Sequence, residues 1–162
     1  MKDNVLTIAW AGTVNSDPAM VSISVRKSRY SYAALMETGV FVINLTTEGL
    51  AHATDFCGVK SGKDLDKFEA EHLKKEEAVE IDCPMLADSP VNIECRVTET
   101  KDLGSHTMFL AEVLAVSVDE NYMDEKGKFS LDQTGLIAYS HGGYFSLGEQ
   151  IGSFGYSVRK KK

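Results

Sequence analysis

The sequence predicts a mainly β domain with a few inserted helices, a barrel with helical excursions. Three features point there. Met20 to Arg26 alternates, with Val21, Ile23 and Val25 on one face and Ser22 and Ser24 on the other, the two-residue period of a half-buried strand. The second half carries a long hairpin pattern, Val91 to Thr100 returning through Met108 to Val118 about the turn Leu103-Gly104-Ser105. The helix signals come early, before residue 71.

In chain order, Val5 to Trp10 reads as a short strand, and Asn15-Ser16-Asp17-Pro18 as a turn. After the strand Met20 to Arg26, Ser28 is the expected N-cap of a helix running to about Met36, with Gly39 past its end. Phe41 to Leu45 is a compact apolar strand, and Thr46 or Thr47 caps a second helix that stops near Gly58. A loop at Ser61-Gly62 precedes a helical turn through Lys67 to Ala70. Lys74 to Glu80 is polar enough for the surface, and Pro84 and Pro90 bracket a connection. In the long hairpin Val91, Ile93, Cys95 and Val97 alternate with Asn92, Glu94, Arg96 and Thr98. Gly127 marks a turn, and Leu136 to Ser140 and Tyr144 to Leu147 are short final strands. No repeat or low-complexity linker interrupts the chain, so residues 1–162 are expected to form one domain.

Composition narrows the function. Hydrophobic residues make up 43% of the 162 residues and charged residues 25%, an ordinary globular balance. The net charge of -7 speaks against a nucleic-acid partner, which needs a basic face. The one dense basic run, Arg159 to Lys162, reads as a solvated end. Cys57, Cys83 and Cys95 form no CxxC, so neither zinc nor a thioredoxin motif is signalled. An odd count of cysteines suits a reducing compartment. No apolar stretch approaches the ~20 residues a membrane helix needs, and the expectation is a cytoplasmic protein. GxGxxG, Walker A, GxSxG and HExxH are all missing. Any redox cofactor must therefore sit on a scaffold other than a Rossmann fold.

The segment Ser22 to Ser31 is the most suggestive. It brings hydroxyls, main-chain N–H groups, Arg26, Lys27 and Arg29 to the start of an expected helix. Such a place stabilises a phosphate. From these residues alone a capped surface helix with solvated basic residues is the commoner reading, since N-caps are commonplace.

The strings TIAWAGTVNSDPAMVSISVRKSRYSY, GVFVINL, DFCG, SGKDLDKF, GSHTMFLAEV and HGGYFSLG follow one another in the chain. In that order they resemble the flavin reductase-like family, and its flavoredoxin branch most of all. The resemblance implies an FMN-binding split β-barrel and a homodimer. It places the phosphate on Arg26, Ser28 and Ser31, where Ser31 stands for a threonine common in the family and keeps its hydroxyl. It lays the isoalloxazine along the backbone from Trp10 through Thr13 to Asn15, near Ser24 and Val25. Cys57, Ser61 and Lys67 match the flavoredoxin-type segment near the flavin or its phosphate. Family members begin with another strand and turn before the part matching Asn4 to Trp10, so the chain is expected to lack the family's opening strand, either through a truncated start or because the barrel is built without it.

Single residues carry two readings each. His106, at a hairpin turn where the family tends to carry histidine, is the candidate catalytic residue, orienting a nicotinamide or the reduced ring; otherwise it is a solvated turn histidine. His141 is a weaker candidate, and His52 and His72 read as helix-surface residues. Trp10 either covers a ring system or packs in the core. Cys57 reads as a small buried residue near a helix end, and Tyr30 and Tyr32 as packing residues. A flavin supplies its own redox chemistry, which accounts for the lack of an acid–base dyad. The expected function is an FMN flavoprotein oxidoreductase with NAD(P)H as a donor. It either retains FMN and relays electrons to a protein partner or releases reduced FMN as a product. The competing class is a non-redox ligand-binding β-barrel.

Overall fold

The computed structural model describes residues 2–159. Of the basic tail, Lys160 to Lys162 lie outside the described residues, and Arg159 Nη2 donates to Ser153 Oγ. Residues 2–10 join no strand ladder, which corrects the strand expected over Val5 to Trp10. Side chains hold this segment in place of a sheet partner. Lys67 Nζ donates to the Val5 carbonyl, Thr7 Oγ1 donates to the Thr54 carbonyl, and Leu6 and Ile8 pack against the core.

The first strand is instead β1 (Ala11–Ser16), which pairs antiparallel with β2 (Ala19–Arg26). The expected turn shrinks to Asp17-Pro18, because Asn15 and Ser16 pair with Met20 and Ala19. Helix α1 (Ser31–Thr38) starts three residues after the expected Ser28 cap. The N–H groups of Arg29 and Tyr32 donate to the carbonyls of Arg26 and Arg29, so the chain turns before it coils. Tyr30 takes the cap position without a side-chain bond, and Gly39 ends the helix at φ +64°, a left-handed conformation that glycine adopts freely.

Strand β3 (Val40–Asn44) leads through a 3₁₀ turn at Glu48–Leu50 into α2 (Ala51–Val59). Thr47 stands before that turn, but its hydroxyl makes no cap bond. The short α3 (Lys67–Ala70) is capped by the Asp66 carboxylate, which accepts from the Phe68 and Glu69 N–H groups. A two-residue ladder joins β4 (Lys75–Glu76) to β5 (Met85–Leu86). The long hairpin is β6 (Val91–Asp102) and β7 (His106–Val118). The last hairpin is β8 (Ile137–Ser140) and β9 (Gly143–Ser146).

The main sheet is antiparallel in the order β1-β2-β7-β6-β3. Its inner face carries the core: Val21, Ile23 and Val25 of β2, Phe109 and Ala111 of β7, Cys95 of β6, Phe41 of β3 and Leu35 of α1. Tyr32 packs edge-on against Phe109, and its hydroxyl bonds Thr107 Oγ1. The outer face of β6 departs from simple alternation, because Asn92 and Glu94 are buried as well. The segment after β4 folds over them: Glu94 accepts from the N–H groups of Val79 and Glu80 at 2.8 and 2.7 Å. A register shift between Glu94 and Cys95 lets the strand bury both. At the other edge β1 is exposed along its whole length.

Candidate functional site

A cleft of about 400 Å³ opens where residues 2–8, the bend between β2 and α1, and the loop after α2 meet. Arg26 ends β2, and Ser28, Arg29 and Tyr30 form the bend. Lys60, Ser61 and Gly62 come from the loop, Lys67 from the start of α3, and Asn4 and Leu6 from the opening segment. Arg26, Arg29, Lys60 and Lys67 give it four cationic side chains, and among the described residues no carboxylate lines it. In a chain of net charge -7 this is a local reversal of sign, and a concave cationic wall focuses field on an anion.

Lys67 is the buried member, with 2% of its surface exposed. Its Nζ donates to the carbonyls of Cys57 and Val5 at 2.7 and 2.9 Å, and an ammonium has a third hydrogen to give. Burial pulls its pKa below the ordinary lysine value, partly offset by Cys57 and reinforced by the charge of Arg29. Arg29 Nη1 donates to the Gly58 carbonyl, fixing the guanidinium on the rim. At Gly62 an added Cβ would overlap the Asn4 carboxamide and the Tyr30 ring, so glycine is what lets those side chains close the cleft.

Of the residues expected from sequence, Arg26, Ser28, Ser61 and Lys67 meet in this cleft. Ser31 lies one hydrogen bond behind its wall, accepting from Asn4 Nδ2 at 2.7 Å. Cys57 is buried in α2 with its carbonyl on Lys67, and burial pushes its thiol pKa up. Val25 points into the core, so only its main chain is available to a ligand. Ser24 shares the outer face of β2 with Arg26, and its N–H donates to the Trp10 carbonyl. Trp10 is 67% exposed, which removes its core-packing reading. Thr13 and Asn15 are exposed on β1, and Asn15 Nδ2 donates to the Pro18 carbonyl. His106 pairs across the ladder with Arg26, and its Nδ1 bonds Ser105 Oγ. His141 occupies the β8–β9 turn at φ +47° and is exposed. His72 sits in a turn at φ +54°, not on a helix face.

Sequence reasoning left Asn4, Leu6, Lys60 and Gly62 without a site role, named Arg29 only as one of the basic residues of the Ser22 to Ser31 segment, and gave Tyr30 a packing role. Arg29 and Tyr30 lie inside the segment singled out for phosphate. Asn4 and Lys60 stand more than fifty residues apart, and no local pattern links them.

Residues 1–148 match the family described as flavin reductase like domain. The chain belongs to this family, and to its flavoredoxin branch. A flavoredoxin of Desulfovibrio vulgaris (Miyazaki F) superposes with a TM-score of 0.89 at 26% identity, covering 96% of this chain and 85% of that one. A protein with a split barrel domain from Shewanella frigidimarina NCIMB 400 reaches 0.83 at 20% identity, over 94% of this chain and 78% of that one. The five-stranded sheet is thus the frame of a split barrel. An FMN reductase (NADH) RutF of Variovorax paradoxus is 24% identical over 106 residues, 65% of this chain and 57% of that protein. The protein is a flavin-binding oxidoreductase of the flavin reductase-like type.

Proposed function

We propose that the flavin is FMN and that the chain keeps it, relaying electrons between NAD(P)H and a protein acceptor. The observation that carries this reading is the cationic cleft, in which Arg26, Ser28, Ser61 and Lys67 converge without a carboxylate among the described residues. Those residues fit a phosphate monoester: two side-chain hydroxyls, a guanidinium on the rim, and a buried ammonium with one hydrogen uncommitted. Bound there, FMN supplies hydride and single-electron transfer, and the protein supplies binding, orientation and electrostatics.

The ring system is assigned to the main chain from Trp10 to Asn15 with Ser24 and Val25. In support, Trp10 is exposed, and its carbonyl accepts from the Ser24 N–H, two residues along β2 from Arg26 and its cleft. His106 is assigned to orient a nicotinamide; in support, it holds the ladder position facing Arg26. A homodimer accounts for the bare edge of β1 and for the exposure of Trp10 and Val14 beside it. A second reading, in which FMN is a substrate that leaves reduced, has the likeness to the FMN reductase (NADH) in its favour.

The test is titration of the purified protein with FMN and with riboflavin, followed by flavin fluorescence. FMN is expected to bind at micromolar concentration or below and to be favoured over riboflavin. Arg26→Ala is expected to weaken FMN by about tenfold to a hundredfold, since a hydrogen bond to a charged group contributes ~1.5–3 kcal/mol. Riboflavin, which lacks the phosphate, should hardly respond. A protein that takes up neither flavin is the non-redox barrel. Steady-state kinetics separate the two redox readings: ping-pong turnover with retained FMN against release of free reduced flavin.

A further inference from the structure

This inference rests on the FMN reading and concerns Asn4, a residue that the family resemblance gave no role. Asn4 lines the cleft, and Ser31 does not. Asn4 Nδ2 donates to Ser31 Oγ at 2.7 Å, across 27 residues of sequence. A carboxamide nitrogen carries two hydrogens, so this bond engages one and fixes the plane of the amide. The other end is fixed by shape, because Asn4 Oδ1 occupies the space that a side chain at Gly62 would fill.

The flanking chain is held as well. The Val5 carbonyl accepts from buried Lys67, Lys2 pairs with Asp66, and Lys75 pairs with Asp3. The second Nδ2 hydrogen is therefore presented by a side chain that gives up little freedom on binding, the condition under which a donor contributes most. Around it stand Arg26, Arg29, Lys60 and Lys67, so the group it meets is an anionic oxygen.

We propose that Asn4 is a ligand-contacting residue that donates its second Nδ2 hydrogen to the flavin phosphate. Ser31 is its positioning residue, acting through Asn4 and not on the ligand. This reassigns the hydroxyl that the family resemblance puts on the phosphate.

The test compares dissociation constants of FMN and riboflavin for the full chain and a double-mutant cycle. Asn4→Ala should weaken FMN by about tenfold and leave riboflavin within about twofold, which also shows that the variant is folded. Asn4→Asp keeps the shape, cannot donate and adds a negative charge, so its loss should be larger. Gly62→Ala displaces the Asn4 amide without altering it and should reproduce Asn4→Ala. Ser31→Ala should lower the FMN-to-riboflavin preference in the native background and change nothing further in the Asn4→Ala background. An unchanged preference in both Asn4 variants overturns the proposal while leaving the FMN reading intact. Additive losses from Asn4→Ala and Ser31→Ala overturn the positioning role, since Ser31 would then act on the ligand by itself. Failure of the unaltered protein to bind FMN overturns the parent reading, and this one with it.

Discussion

Cys95 is wholly buried on the core face of β6, directly after the buried carboxylate of Glu94. Burial, aided by the Glu94 charge, pushes its thiol pKa up from 9.0 to about 12. The folded state thus holds a proton that the unfolded chain sheds above its own, lower pKa. The stabilisation is complete below about pH 9 and is lost as pH rises toward about 12. In urea unfolding, the stability gap between the native protein and Cys95→Ala should narrow as pH climbs from 8 to 11. A gap that stays constant over that range would sink the assignment. Lys67 shows the opposite perturbation of a base, held below the usual lysine range by burial. Its two carbonyl partners come from residues 5 and 57, so one side chain ties the opening segment to α2 at the base of the cleft.

At the scale of elements, the segment between β4 and β6 depends on Glu94. A carboxylate that accepts two main-chain N–H groups is a strong local clamp, and here both donors are consecutive, Val79 and Glu80. Glu94→Gln replaces one acceptor oxygen with a donor that faces an N–H. The expected cost is about 2–3 kcal/mol, from one charge-assisted bond lost and one polar group left unpaired. It should show as a lower urea midpoint with little change in slope, together with faster amide exchange at Val79 and Glu80. Full protection of those two amides in the variant would contradict the clamp. The bend between β2 and α1 is the second decisive element. Four residues separate β2 from α1, and this delay carries Ser28, Arg29 and Tyr30 into the cleft.

At the scale of the molecule, the sheet ends at β1 without a partner on its outer side among the described residues. A strand exposed along its length, with Val14 half exposed and Trp10 beside it, is an invitation to pairing. The C-terminal part adds Ile151, Phe154 and Val158, all largely exposed, a density of apolar surface unusual for a monomer. The dimer proposed above should give a light-scattering mass of twice 17.8 kDa at micromolar concentration, and Val14→Lys should shift it toward the monomer. A monomeric native protein that still binds FMN would contradict the dimer.

The sequence alone determined the β-rich class, the inner face of β2, the long hairpin and Gly39 as a helix end, and it singled out Arg26, Ser28, Ser61 and Lys67, which line one cleft. These follow from local rules: a two-residue period, turn residues, glycine's left-handed freedom, and a family pattern carried by contiguous strings. Only the tertiary structure decided the rest. Val5 to Trp10 has a strand's composition, yet Lys67 meets its Val5 carbonyl, Thr7 reaches the Thr54 carbonyl, and Leu6 and Ile8 pack on the core, so the segment joins no strand ladder. Ser28 has a cap's chemistry, yet the Arg26 carbonyl turns the chain before any helix starts. Glu94 sits on the polar phase of its strand, yet two N–H groups from residues 79 and 80 make its burial tolerable. Asn4 belongs to the cleft because residues 31 and 62 come to meet it. In each case the deciding partner lies beyond the reach of a local window, and the pairing of distant polar groups is set by where the chain returns, not by the residues on either side.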